Sequence, residues 1–290
     1  MSENKAAGNN TASISTNFRL GGDLDILRLG FGAMRITGAG IWGPPRDLEA
    51  AKRLLRQVVA SGVNFIDTAD SYGPAVSEEL IAEALHPYPS GLVIATKGGM
   101  LRPGPGQWTP DGRPAHLKRV CEESLRRLRL GRIDLYQLHR PDPNVPLLES
   151  VGALVELQAA GKIRHIGLSN VSQEQLAQAQ SIAKVVSVQN PYNLTNRGHE
   201  EVMRACAKQG LAFLPYFPLA VGNLARAGGN LQTIAARHHA TPGQVALAWL
   251  LHHSPTIIPI PGTSSPAHFE ENFGALRVSL TSEEMAQIAA

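Results

Sequence analysis

Cysteine is nearly absent from this chain. Its 290 residues include two, Cys121 and Cys206, each inside a helical pattern. Neither has metal-ligand spacing and no disulfide framework is visible, so buried thiols in a reducing compartment are expected. Charge of one sign is also missing: 27 basic and 24 acidic residues leave a net charge of +3. With no run or stripe of Lys and Arg, nucleic acid is excluded as an expected partner, although a mildly positive mouth could attract an anionic ligand. Long hydrophobic runs are lacking too. The longest, near 245–251, is broken by His252, His253 and Ser254 and is too short to span a bilayer. Residues 1–17 are rich in Asn, Ser, Ala and Thr without an apolar h-region, which predicts a disordered tail instead of a signal peptide. A cytoplasmic protein with no membrane partner follows from these absences.

What is present is a large apolar fraction, 43%, enough for a sizeable core. Short apolar runs alternate with longer helical patterns. Strands are expected at 29–33, 64–69, 92–97, 133–139, 163–169, 185–190, 211–217 and 257–261. Helices are expected near 46–60, 77–85, 113–129, 147–160, 173–183, 199–209, 242–252 and 265–272. Near-continuous apolar strands separated by helices indicate a parallel sheet covered on both faces, and eight such units suggest an α/β fold of the (β/α)8 TIM-barrel type. An open doubly wound sheet is the rival, but no Gly-x-Gly-x-x-Gly follows a strand, so it lacks its dinucleotide fingerprint. Residues 18–28 read as an N-terminal β-hairpin able to plug the barrel floor. Capping-box spacing recurs at Ser172 with Gln175, Thr241 with Gln244 and Thr281 with Glu284. No sharp linker interrupts residues 18–290, so a single domain is expected.

The stretch Asn64-Phe65-Ile66-Asp67-Thr68-Ala69-Asp70-Ser71-Tyr72 passes from strand to loop as an acid and then a phenol appear. In barrels of this kind the carboxyl ends of strands converge on one mouth. Alone, Asp67 reads equally well as a cap and Tyr72 as a half-buried tyrosine. Lys97 ends the third strand after a largely apolar run and needs a counter-charge, which Asp67 on the neighbouring strand can supply. His139 ends the fourth strand. Singly, Lys97 reads as a snorkelling surface lysine and His139 as a structural histidine; their placement at the same end of three consecutive strands argues for chemistry. Two long Gly- and Pro-rich connections, 35–45 with Trp42 and 98–114 with Trp108, follow strands and should overhang this mouth. Each tryptophan is a candidate pocket wall or a hydrophobic pin.

These residues resemble the aldo-keto reductases. The likeness covers Asp-Thr-Ala-x-x-Tyr at 67–72, Ala-Thr-Lys ending at Lys97, Leu-His-Arg-Pro-Asp around His139, Gly-Leu-Ser-Asn at 167–170 and Val-Gln-Asn-Pro-Tyr-Asn at 188–193. It continues through Pro-Tyr-Phe-Pro-Leu at 215–219, Ile-Pro-Gly-Thr-Ser-Ser at 260–265 and Glu271-Asn272. The motifs lie in the family's order from about residue 18 onwards.

The resemblance implies a (β/α)8 barrel that uses a nicotinamide cofactor without a Rossmann fold. It implies reduction of an aldehyde or ketone to the alcohol, with Tyr72 as general acid. A phenol of pKa near ~10 is a reluctant acid, and a nearby ammonium is expected to lower that value. Lys97 would do so, Asp67 would hold Lys97, and His139 would hydrogen-bond the substrate oxygen. By motif matching, Ser169, Asn170 and Gln189 should hold the nicotinamide carboxamide, Tyr216 should stack on the ring, and the backbone near Leu219 should meet the pyrophosphate.

The chain departs from the family pattern at three places. Phe217 stands where a serine often precedes Pro-Leu, Gly262 occupies the usual lysine position, and His268 the usual arginine position. A 2′-phosphate prefers a cationic fork, so its affinity is expected to fall. Thr263, Ser264, Ser265 and the following helix N-terminus remain as phosphate ligands, with Glu271 and Asn272 facing the adenine. NADPH is the expected cofactor and NADH is possible. The loops 41–46, 217–219 and 261–265 look most like a bacterial subgroup that includes pyridoxal reductases, making pyridoxal the leading named substrate. The other reading is a cofactor-sensing interaction protein like the potassium-channel β subunits that share this fold.

Overall fold

A computed structural model describes residues 15–289. Of the tail expected at residues 1–17, residues 1–14 lie outside the described residues, and Asn17 instead opens the first strand. That strand, β1 (Asn17–Leu20), pairs antiparallel with β2 (Leu24–Leu27). Gly21 and Gly22 turn the hairpin at φ of 65° and 92°, a region glycine enters without a Cβ clash.

Next come β3 (Phe31–Gly32), α1 (Leu48–Ala60), β4 (Phe65–Asp67), α2 (Val76–Leu85) and β5 (Val93–Gly98). A small antiparallel ribbon of β6 (Met100–Leu101) and β7 (Thr109–Pro110) precedes α3 (Pro114–Leu128). Then follow β8 (Ile133–Leu138), α4 (Leu147–Ala159), β9 (Ile163–Ser169), α5 (Gln173–Gln180), β10 (Val185–Gln189), α6 (Glu200–Gln209) and β11 (Ala212–Phe213). The remaining helices are α7 (Gly229–Arg237), α8 (Pro242–His253), α9 (Pro266–Phe273) and α10 (Ser282–Ala289).

The parallel sheet runs β11-β10-β9-β8-β5-β4-β3. Its two edges are joined by residues 256–261. Phe213 N donates to Thr256 O and Ile258 N to Phe213 O, both at 2.9 Å, while Gly30 N donates to Pro259 O at 2.9 Å and Gly32 N to Pro261 O at 3.3 Å. The eighth strand expected at 257–261 therefore closes the barrel, but Pro259 and Pro261 lack the N–H a regular ladder requires. The protein is a (β/α)8 barrel with an N-terminal hairpin.

Side chains alternate across each strand. Phe65, Val93, Ala95, Leu135, Val186, Ala212, Leu214, Ile258 and Ile260 fill the barrel interior, and Leu20 and Ile26 of the hairpin join them. The hairpin thus plugs the floor. Ile66 and Ile94 face outward onto α1 and α2 residues such as Leu54, Leu55 and Ile81, and Tyr136 and Leu138 face the second outer core. The same period of two carries Asp67, Lys97, Gln137 and His139 on from the inward positions of β4, β5 and β8.

Two elements differ from the sequence reading. The connection after β5 contains the β6–β7 ribbon, and α7 forms between β11 and α8, where no helix was expected. Leu231, Ile234 and Ala235 bury one face of α7. Among the described residues, no helix is long and apolar enough to cross a membrane.

Candidate active site

Lys97 is fully buried and each of its ammonium protons has an acceptor. Nζ donates to Asp67 Oδ2 at 2.6 Å, to Thr68 O at 2.8 Å and to Tyr72 Oη at 3.2 Å. The remaining carboxylate oxygen, Asp67 Oδ1, accepts from Gln137 Nε2 at 3.1 Å and Gln189 Nε2 at 2.8 Å. A buried pair is costly unless such additional hydrogen bonds satisfy it, and here two amides complete the set. Gln137 was not singled out from the sequence. Its only signal was a polar residue at the inward parity of an apolar strand.

Burial alone would drive the Lys97 ammonium towards neutrality, yet Asp67 and Tyr72 together hold it above its ordinary value. For Tyr72, burial pushes the phenol above its ordinary value, and the Lys97 ammonium, working the other way, does not overcome it. This corrects the expectation that Lys97 brings the phenol below its free value. Loss of water around the phenolate outweighs one nearby cation. Burial, followed by the cations Lys97, Arg140 and Arg102, holds the His139 imidazole well below its ordinary value. His139 is therefore neutral at pH 7, with Nδ1 at 3.2 Å from Ser71 Oγ, and its ring stands edge-on to Tyr72 at 5.9 Å.

These groups open into a cavity of about 890 Å³. Its lining includes Asp67, Tyr72, Trp108, His139, Ser169, Asn170, Gln189, Tyr216, Phe217 and Leu219. It continues through Gly262, Thr263, Ser264, His268, Glu271 and Asn272. Lys97 lies behind Tyr72. Ser265 caps α9, accepting from His268 N at 3.4 Å, and Trp42 lies outside the lining, bridged to Gly73. Trp108 is part of the lining.

Several of these residues are already engaged. Asn170 Nδ2 donates to His139 O and Ser169 Oγ, both at 3.0 Å, and its Oδ1 accepts from Tyr216 Oη at 2.8 Å. Gln189 spends its amide N–H on Asp67, leaving its carbonyl oxygen as an acceptor. Thr241 Oγ1 donates to Glu271 Oε1 at 2.7 Å. The turn after β11 holds three non-glycine residues at positive φ, Phe217 (54°), Ala220 (47°) and Val221 (58°). Such strain concentrates where backbone clamps a ligand.

Three lining cations, Arg35, Arg140 and Arg226, were not named from the sequence. Arg140 stands inside the Leu-His-Arg-Pro-Asp motif beside His139, whereas Arg35 and Arg226 lie in short 3-10 turns outside any motif. Gly262 explains one of them. A Cβ built there would lie 2.5 Å from Gly32 O and 3.7 Å from Arg35 Cγ. The strand ends approach too closely for a lysine at 262, and the Arg35 stem runs alongside that position.

The barrel thus brings an acid, a lysine, a phenol and an imidazole together beside one cavity. A family model for the Aldo/keto reductase family matches residues 28–290, and the chain belongs to that family. As a member, it is an oxidoreductase that uses a nicotinamide cofactor. It is 43% identical to the pyridoxine 4-dehydrogenase of Escherichia coli over 280 residues, covering 94% of this chain and 97% of that protein. An uncharacterized oxidoreductase of Schizosaccharomyces pombe is 47% identical over 267 residues, covering 92% and 87% of the two chains. Among solved structures, the glycerol dehydrogenase of Gluconobacter oxydans superposes with a TM-score of 0.87 at 29% identity, covering 94% of each chain. An aldo-keto reductase of Klebsiella pneumoniae in complex with NADPH gives 0.79 at 28% identity, covering 95% and 94%.

The donor set fits such a cofactor. Ser169 and the free carbonyl of Gln189, which line the cavity with Asp67, Tyr72 and His139, suit a carboxamide. Arg35 and the N-terminus of α9, beside Gly262, suit phosphate.

Proposed function

We propose that this protein reduces aldehydes with NADPH, that Tyr72 is the general acid, and that pyridoxal, reduced to pyridoxine, is a substrate. The observation that carries this reading is Lys97 Nζ bridging Asp67 Oδ2 and Tyr72 Oη at 2.6 and 3.2 Å. The bound nicotinamide supplies the hydride. As negative charge develops on the carbonyl oxygen, Tyr72 Oη gives up its proton to it. The phenolate left behind rests beside the Lys97 ammonium, which is already in place and needs no reorganisation.

Neutral His139 acts as a hydrogen-bond donor. In the tautomer where Ser71 Oγ donates to Nδ1, the proton sits on Nε2 for the carbonyl oxygen. Ser169 and Gln189 hold the carboxamide; Asn170 and Tyr216 support that end through their mutual hydrogen bond. Thr263, Ser264, His268 and α9 take the phosphates, with Glu271 and Asn272 towards the adenine.

The preference for NADPH is supported by Arg35, which supplies a guanidinium where Gly262 removes the family's lysine. The pyridoxal assignment is supported by the 43% identity to a pyridoxine 4-dehydrogenase and by the Trp108 ring in the lining. An aldehyde panel that includes pyridoxal, followed by loss of NADPH absorbance, tests it. Consumption of NADPH matched by pyridoxine formation is expected. Tight NADPH binding with no turnover of any aldehyde would sink the reading and favour a cofactor-sensing role.

A further inference from the structure

Arg102 leaves the β6–β7 ribbon beneath the cavity rim, and only 9% of it is exposed. Its Nε donates to Gln107 O at 3.0 Å, Nη1 to both Ile41 O and Ser71 O at 2.9 Å, and Nη2 to Gly40 O at 3.2 Å. One guanidinium therefore joins three loops: the 35–45 connection, its own 98–114 connection, and the turn that carries Tyr72. The same group lies 3.7 Å from the centroid of the Trp108 ring and 5.6 Å from that of Trp42. Trp108 in turn stands edge-on to Tyr72 at 6.4 Å and to His139 at 6.2 Å.

We propose that Arg102 is a positioning residue that fixes Trp108 as the wall of the carbonyl pocket and so favours planar aromatic aldehydes over small aliphatic ones. The proposal rests on the carbonyl-reducing reading above. A planar five-donor fork can serve four carbonyls in different directions while stacking on an indole. Lysine, with a compact ammonium, cannot do both. Trp108, 36% exposed, directly precedes β7, and the face of its ring is covered by this guanidinium. A fixed ring gains contact with a flat substrate face. A short alkyl chain gains little from it.

The test compares Arg102→Met and Arg102→Lys with the unmodified protein on 4-nitrobenzaldehyde and on propanal, with NADPH dissociation constants measured alongside. KM for the aromatic aldehyde should rise about tenfold or more, while kcat, the propanal kcat/KM and the NADPH constant stay within about threefold. Arg102→Lys should not restore KM. Trp108→Ala should reproduce the aromatic penalty, and adding Arg102→Met to it should change nothing further, as expected of two residues acting as one unit. Equal losses on both aldehydes, rescue by lysine, or additive penalties would overturn the proposal. If Arg102→Met does not fold, Arg102→Lys and Trp108→Ala carry the same comparison. If the unmodified protein reduces no aldehyde, pyridoxal included, the carbonyl-reducing reading fails, and the positioning role is read from acrylamide quenching with and without Trp108→Phe. Increased access to Trp108 in the Arg102 variants supports it, and unchanged access overturns it.

Discussion

Tyr72 and Asp67 both touch Lys97, but removing them asks different questions. Asp67→Asn leaves a fully buried ammonium without its counter-charge, which costs about 3–5 kcal/mol in buried pairs, so any loss of activity would mix folding with chemistry. Tyr72→Phe removes only the hydroxyl, and Lys97 keeps its bonds to Asp67 and Thr68 O. The phenylalanine variant is thus the informative one. Arg35 allows a second test at this scale. Since its stem runs beside Gly262, Arg35→Ala should weaken NADPH by about tenfold or more, the size of one charge-assisted phosphate contact, while NADH changes less. Isothermal titration with both cofactors checks this, and equal weakening of the two would place Arg35 on the pyrophosphate instead.

At the scale of elements, helix starts contribute measurably. Thr241 caps α8 in a complete box with Gln244 and also bonds Glu271 on α9, so it ties a helix terminus to a residue that lines the cavity. Thr241→Ala should cost about 1–2 kcal/mol in thermal or urea unfolding, and Thr241→Ser should recover most of it. An unchanged stability would mean that the cap is taken over by water. These starts were legible in the sequence because a capping box is local: donor, acceptor and spacing all lie within four residues. The placement of Asp67, Lys97 and His139 at the same end of three consecutive strands was legible for the same reason.

What was not legible depends on partners far apart in the chain. Gln189 reaches Asp67 across 122 residues, and Arg102 reaches Ile41 across 61. No local pattern encodes either pairing. Trp42 and Trp108 were indistinguishable from the sequence, since both are single tryptophans in Gly- and Pro-rich connections. Only packing places Trp108 in the cavity lining and Trp42 against Gly73. The α7 helix has a weak signal in the sequence because Gly228 caps it, Gly229 opens it, and it buries a face of only three apolar residues.

For the whole molecule, four histidines contribute to the loss of stability in acid, opposed by Asp70 and Asp134, whose carboxyls burial pushes up. His139 is held well below its ordinary value by burial and by cations, and burial also lowers His116, His199 and His252. The sign follows from proton uptake. Below about pH 6.5 the unfolded chain binds protons at these sites that the folded chain refuses, so stability rises with pH through this window and falls on acidification. Melting temperature should therefore drop between pH 7 and pH 5, and His139→Gln should flatten part of that slope. A slope unaltered by the substitution would show that His139 is not held neutral.

At the basic end, Tyr72 is held above its ordinary value. Its neutral form is favoured in the folded state, so stability falls as pH rises through the ordinary tyrosine range near ~10. Cys121 and Cys206 are pushed up to about 12 by burial, so neither thiolate is available near neutrality.

All scales meet in the proton carried by Tyr72, and one comparison reaches it directly: NADPH consumption with pyridoxal by the unmodified protein and by Tyr72→Phe, with the NADPH dissociation constant measured for both. The account predicts pyridoxine formation by the unmodified protein, a loss of kcat of about 10²–10⁴-fold in the variant, and equal cofactor affinity. Near-normal reduction by Tyr72→Phe would contradict it.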